Sequence, residues 1–275
     1  MLGRGYTFHL SEEELQLGLP SSGVQHTHGL SRFAQKLASC RPLRLALIGG
    51  SVAQGCCAGA GQGFWPRFVR GLSAFPCPPL ISSSISQVSF AVGGAGPAYA
   101  SLCLLTNQVN LSSFDMVVVE YNTNCGKLDV DYVPHLASAL AALGNQTAVI
   151  FLNHFRLSWP VGATPCESAF RRASQQYGIP LLRTEPIIRP LNRSRCPISD
   201  DGVHPTTLGH ACMADLLVHF VLGHMSQATV SIGELKRHVG VLQEALRVEE
   251  SKEALRVEEN NYLGGELRKQ VRSNA

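Results

Sequence analysis

Five short runs of apolar residues, each closed by turn residues, constrain this chain more than any other feature. They are Leu43–Ile48, Val88–Val92, Met116–Tyr121, Ala148–Leu152 and Ile179–Leu182. They are rich in Val, Ile and Leu and show no polar alternation, the pattern of strands buried on both faces. The segments between them have helical character: Phe64–Phe75, Ala98–Val109, Tyr132–Leu143 and Glu167–Tyr177, with a last helix over Thr206–Leu222. Strands and helices in alternation give an α/β domain, a parallel sheet of about five strands between two helical layers. In such sheets ligands gather beyond the carboxyl ends of the strands. The chemistry is therefore sought in the turns that follow the runs.

Residues 41–225 form this domain, between a preamble and a tail. In residues 1–40, Ser11 and Glu14 have the spacing of a capping box, and Ser31–Leu37 has a weak helical period. In residues 226–275, Leu235, Val239, Leu242 and Leu246 make one apolar stripe, and Glu244-Ala-Leu-Arg-Val-Glu-Glu recurs from Glu253. A nine-residue repeat turns its second copy to the opposite helix face, so the tail reads as a partly solvated helix, not a coiled coil.

With 275 residues and 45% hydrophobic content, the chain can bury a core and is not disordered as a whole. Its net charge of +3 is dispersed, so no nucleic-acid partner is expected. No stretch approaches the roughly 18 uninterrupted apolar residues of a membrane span. Met1–Pro20 carries Arg4 and Glu12 to Glu14 without an apolar segment, so no secretory signal is expected there. Three glycosylation-type triplets, beginning at Asn110, Asn145 and Asn192, keep a secretory location open. The nine cysteines show no CxxC pair and no zinc-type Cys/His spacing. They read mainly as small buried apolar residues, with room for one or two disulfides and at least one free thiol. The oligomeric state is not readable.

After the first run comes Ile48-Gly49-Gly50-Ser51-Val52-Ala53-Gln54-Gly55. A phosphate-cradling loop would need lysine where Cys56 stands, and a dinucleotide fingerprint would need different glycine spacing. An α/β-hydrolase elbow would need glycine at Ala53. What remains is Ser51 on a glycine-rich turn, a candidate nucleophile or a helix-cap serine. Near the last helix stands Asp200-Asp201-Gly202-Val203-His204-Pro205. Asp201 is close enough to hold the His204 imidazole in one tautomer, as a base that deprotonates serine requires. The second run ends in Val92-Gly93-Gly94-Ala95-Gly96, where a backbone N–H can approach a ligand closely. The third ends in Glu120-Tyr121-Asn122-Thr123-Asn124, which offers carboxamide donors. Acyl transfer needs such donors, each worth about 2.7–4 kcal/mol of barrier. Each feature alone is also an ordinary turn. Their gathering at strand ends favours catalysis.

Taken in order, Ser51, Gly93-Gly94, Asn124 and Asp201-x-x-His204-Pro205 resemble the blocks of the SGNH (GDSL-type) hydrolases across residues 43–222. The first block is similar to the Gly-Gly-Ser variant, with Gly50 where many members have aspartate. The resemblance implies a flavodoxin-like three-layer α/β/α sandwich and a serine esterase without metal or organic cofactor. It implies Ser51 as nucleophile, His204 as base and Asp201 as its orienting carboxylate. The Ser51 and Gly94 N–H groups and the Asn124 side chain would form the oxyanion hole. Two blocks depart from the family pattern. Gln87-Val88-Ser89 lacks the usual upstream asparagine, and in Asn122-Thr123-Asn124-Cys125 the residue Asn122 competes with Asn124. Gln54, Asn153, His154 and Arg156 are candidates for shaping the substrate pocket, Asn153 and His154 because they end the fourth strand.

The expected function is hydrolysis of an ester, with an O-acetyl ester of a carbohydrate as one substrate class, through an acyl-enzyme. The expected partner is a small-molecule or carbohydrate ester substrate. An O-acyltransferase would use the same triad and is not separable by sequence. A non-catalytic binding domain on this scaffold would not need Ser51, Asp201 and His204 together.

Overall fold

In the computed structural model, which describes residues 6–20, 28–74, 84–104, 109–161 and 165–225, the apolar runs lie side by side. The strands are β1 (Leu43–Gly49), β2 (Ile85–Ser89), β3 (Met116–Glu120), β4 (Ala148–Asn153) and β5 (Leu181–Arg183). All four pairings are parallel, in the order β2-β1-β3-β4-β5. This is the flavodoxin-like order, whose winding reverses between β1 and β3. Gly49 and Glu120 are register partners at that point, so the loops leaving them open onto one crevice.

The helices are α1 (Glu12–Gln16), α2 (His28–Ala38), α3 (Phe64–Ser73), α4 (Pro97–Tyr99), α5 (Asp129–Ala141), α6 (Pro165–Tyr177) and α7 (Glu185–Leu191), then α8 (Thr207–Met225). Ser11 caps α1 in a full capping box with Glu14. Alternate strand residues Ala46, Ile48, Val117, Val119, Val149 and Phe151 pack with Leu136 and Leu140 of α5 and Phe170 of α6. By the pleat, Leu45, Leu47, Val118, Ile150 and Leu152 point to the other layer, and they are equally buried. There α2 packs on β4, and α3 meets α8 so closely that a Cβ on Gly71 would press on Val218. Burial on both faces is why β1, β3 and β4 carry no polar alternation.

Four features of the structure refine the sequence reading. The second strand begins three residues early and is largely exposed, because it is an edge strand with β1 as its one neighbour among the described residues. Beyond it, Phe90 and Val92 still donate to Leu47 and Gly49, at 2.8 and 2.9 Å, and so lead the chain to the crevice. Second, α8 has 19 residues and a mean hydropathy of 1.2, long and apolar enough to cross a membrane, yet 72% of it is buried inside the protein. It is the core helix of its layer. Its Asp215 is fully buried and accepts from Tyr6 Oη at 2.7 Å and the His9 N–H at 2.5 Å, which fastens the N-terminal segment. Third, most described cysteines are oxidised. Cys125 pairs with Cys166 and Cys196 with Cys212, and Cys40 is disulfide-bonded too, while Cys56, Cys57 and Cys103 are free. The pairs join residues 41 and 16 positions apart, which spacing alone cannot match. The expected helix over Ala98–Val109 starts as α4 and passes into a π-turn over Ala100–Leu104. The tail 226–275 lies outside the described residues.

Candidate active site

The turn after β1 presents its serine because its neighbours face inward. Gly50 N–H donates to Glu120 O, Gln54 N–H to Gly50 O and Cys56 N–H to Ser51 O, at 3.0–3.1 Å. Val52 and Ala53 are buried beneath, leaving Ser51 half-buried above them. A Cβ on Gly50 would collide with Asn124 Nδ2 and lie 3.2 Å from Ala95 O. Glycine at that position thus makes room for the Asn124 carboxamide.

Ser51 Oγ lies 2.7 Å from His204 Nε2, and His204 Nδ1 lies 2.5 Å from Asp201 Oδ2. The other carboxylate oxygen of Asp201 accepts from Ser199 Oγ at 2.6 Å and from the N–H groups of Val203 and His204 at 2.8 and 3.0 Å. Desolvation pushes the Asp201 carboxyl upward, but the bonds from the His204 ring, Ser199 and the backbone outweigh it and hold it well below the usual range. Asp201 is therefore ionised at neutral pH and accepts a hydrogen bond from the Nδ1–H of His204. Nε2 is left as the acceptor for the serine hydroxyl.

Two buried histidines brace these loops. His154 has no exposed surface; its Nε2 lies 3.0 Å from Val203 O and its Nδ1 2.9 Å from Thr184 Oγ1. Burial pushes its pKa down to about 3, so the neutral ring donates from Nε2 to the loop that carries His204. His210 accepts from Phe64 N–H at 3.3 Å and donates to Cys56 O at 3.1 Å, clamping the serine turn between α3 and α8. Burial lowers it to about 4. Its role was not read from the sequence, where the one signal is an imidazole in an apolar helix.

N–H donors that face the Ser51 turn have no protein acceptor among the described residues. Among them are Asn124 Nδ2, which is buried, and the backbone N–H groups of Ser51 and Gly94. Gly94 has φ +76°, a conformation that favours glycine. The two asparagines separate cleanly. Asn122 is buried and donates Nδ2 to His154 O at 2.6 Å, while the Asn124 amide stays uncommitted. Arg156 donates twice to Thr123 O, at 2.9 and 2.7 Å, and stacks on Trp159, so it steadies the asparagine turn. Gln54 donates to Ala91 O at 3.1 Å, and Asn153 is buried with no partner for Nδ2 among the described residues. Asp129, not singled out by the sequence reading, accepts from Ala98 N–H at 3.1 Å and Gly126 N–H at 2.8 Å and so ties the Gly94 and Asn124 loops together. Glu120 lies fully buried under the site with neither oxygen in a full hydrogen bond. Burial drives its pKa up to about 8, opposed by the nearby groups of Ala53 and Thr123.

A cavity of about 180 Å³ lined by Leu30, Leu140, Thr147 and Tyr177 opens at the amino ends of β4 and β5. None of its lining residues is a carboxylate, imidazole or thiol, and it is at the opposite sheet edge from Ser51.

No family model matches the chain, and no curated protein matches it. Solved structures do. A two-domain esterase (CEX) active on acetylated mannans superposes with a TM-score of 0.63 at 18% identity, over 78% of this chain and 57% of that one. A peptidoglycan O-acetylesterase gives 0.56 at 10% identity, over 76% and 99%. The lipase/acylhydrolase from Enterococcus faecalis gives 0.52 at 16% identity, over 66% and 96%. The chain thus spans little more than half the length of the acetylated-mannan esterase. At these identities the likeness is one of fold. The three-layer α/β/α fold is the one these esterases and this acylhydrolase share.

Proposed function

We propose that the chain is a serine esterase of the SGNH kind. The observation that carries this reading is the continuous hydrogen-bonded line Ser51 Oγ–His204 Nε2 at 2.7 Å and His204 Nδ1–Asp201 Oδ2 at 2.5 Å. Ser51 attacks the acyl carbonyl while His204 takes its proton, and Asp201 stabilises the imidazolium that results. The tetrahedral oxygen is received by the Ser51 and Gly94 N–H groups and Asn124 Nδ2. His204 returns the proton to the leaving alcohol, and the acyl group stays on Ser51. Water, deprotonated by His204, then releases the acid and restores the serine.

The substrate class we infer is an O-acetyl ester of a carbohydrate. Two of the structures with this fold, the acetylated-mannan esterase and the peptidoglycan O-acetylesterase, support it by what they act on. The disulfides and the exposed Asn110 of one glycosylation triplet support an oxidising, secretory setting.

The test is hydrolysis of nitrophenyl acetate and release of acetate from acetylated mannan by the wild type, Ser51→Ala and His204→Ala. The expected loss in either variant is about 10⁶ in kcat. A wild type that is inactive on both substrates, and whose Ser51 is not labelled by a fluorophosphonate, overturns the reading.

A further inference from the structure

We propose that Cys56, Cys57 and His204 form a binding site for a thiophilic divalent cation of the Zn²⁺ class, whose occupancy silences the serine centre. The two thiols are adjacent in sequence, exposed and free, whereas five other described cysteines are disulfide-bonded. Their sulfurs lie 3.4 Å apart, and the candidate ligand atoms of Cys56, Cys57 and His204 all lie within 4.8 Å of one another. The turn that presents Ser51 creates this cluster. Its closing bond from Cys56 N–H to Ser51 O, the clamp from His210 to Cys56 O and a left-handed φ of 67° at Cys57 fix the thiols beside the imidazole.

The dimensions suit a tetrahedral ion. With Zn–S near 2.3 Å and Zn–N near 2.0–2.1 Å, the ligand atoms of a tetrahedral site stand about 3.5–3.8 Å apart. The exposed thiols reach that spacing by shifts of about 1 Å, leaving the fourth position to water. With Nδ1 held by Asp201, the nitrogen left for the ion is Nε2, which the Ser51 hydroxyl must give up. The Asp201–His204 pair is also the carboxylate–histidine arrangement that orients metal-bound imidazoles. Nε2 is the atom that receives the Ser51 proton, so ion binding and serine activation exclude each other. No CxxC or Cys-to-His spacing announces the site, because its third ligand lies far along the chain from the two thiols.

The inhibitory part rests on the esterase reading; the binding part does not. The experiment therefore has two readouts. Wild-type protein is titrated with Cd²⁺, following thiolate-to-cadmium absorbance in the ultraviolet, and in parallel with Zn²⁺, following nitrophenyl acetate hydrolysis. We expect one equivalent bound, activity falling in step, and recovery with a chelator. Removing even an outer-shell partner of a metal ligand costs about 10–100-fold in affinity, so Cys56→Ser/Cys57→Ser should need more than about 100-fold more metal while keeping its basal activity. Ser51→Ala should still give the cadmium absorbance, which separates failure of the esterase reading from failure of the site. The proposal is overturned if the double serine variant retains the absorbance or is inhibited like the wild type, or if the wild type binds no cadmium.

Discussion

Replacing Asn124 by alanine removes a buried carboxamide nitrogen that has no partner among the described residues. No resting-state hydrogen bond of that nitrogen is lost, so the melting temperature should hold or rise. In the proposed mechanism the same nitrogen is one of three oxyanion donors, and removing one such donor costs about 2.7–4 kcal/mol, or about 10²–10³ in kcat. Gly50→Ala should reach the same end by another route. Its new Cβ would meet Asn124 Nδ2 head-on, with Asn124 Cγ at 3.0 Å and Ala95 O at 3.2 Å, so the carboxamide must swing aside. A displacement of about 1 Å at a catalytic group costs about 10² in rate. Both changes act through one nitrogen, so the double variant should be no slower than the slower single variant, far from the product of the two losses. The assay is kcat and KM on nitrophenyl acetate for all four proteins, with melting curves alongside. Fully multiplicative losses, or an Asn124→Ala kcat within about threefold of wild type, would refute the assignment of this donor.

Asp201→Asn should keep the loop folded but favour the wrong imidazole tautomer, lowering kcat by about 10⁴. Glu120 should make stability fall as pH rises. Its folded pKa of about 8 exceeds the unfolded value near 4.5, so its contribution is complete below about 4.5 and lost through pH 8, at most about 5 kcal/mol. The stability difference between wild type and Glu120→Gln, from urea unfolding at several pH values, should shrink or reverse across that window; a flat difference would contradict it. Opening the Cys125–Cys166 and Cys196–Cys212 loops, of separations 41 and 16, should cost about 4 and about 3 kcal/mol respectively in the paired serine variants, read by urea unfolding.

The sequence alone determined the alternation of strands and helices and the edge where chemistry would gather. Those follow from local facts, namely apolar runs without polar alternation and glycine-rich turns. Ser51 and the Asp201–His204 block could be picked out for the same reason, since their turn chemistry is written within a few residues. What lies between distant residues was decided only in three dimensions. Ser51 and His204 are 153 positions apart, and nothing in either motif sets their separation of 2.7 Å. The two asparagines after β3 look equivalent as letters. The difference comes from His154 O, which engages Asn122, and from the space over Gly50, which receives Asn124. The exposure of β2 depends on its place at the sheet edge, and the disulfides on which helices and loops meet. The same holds for Glu120, whose protonation is set by the depth of the layer above it, and for the two thiols drawn beside His204. Backbone periodicity is a property of neighbours in the chain, whereas burial, pairing and proton affinity are properties of neighbours in space.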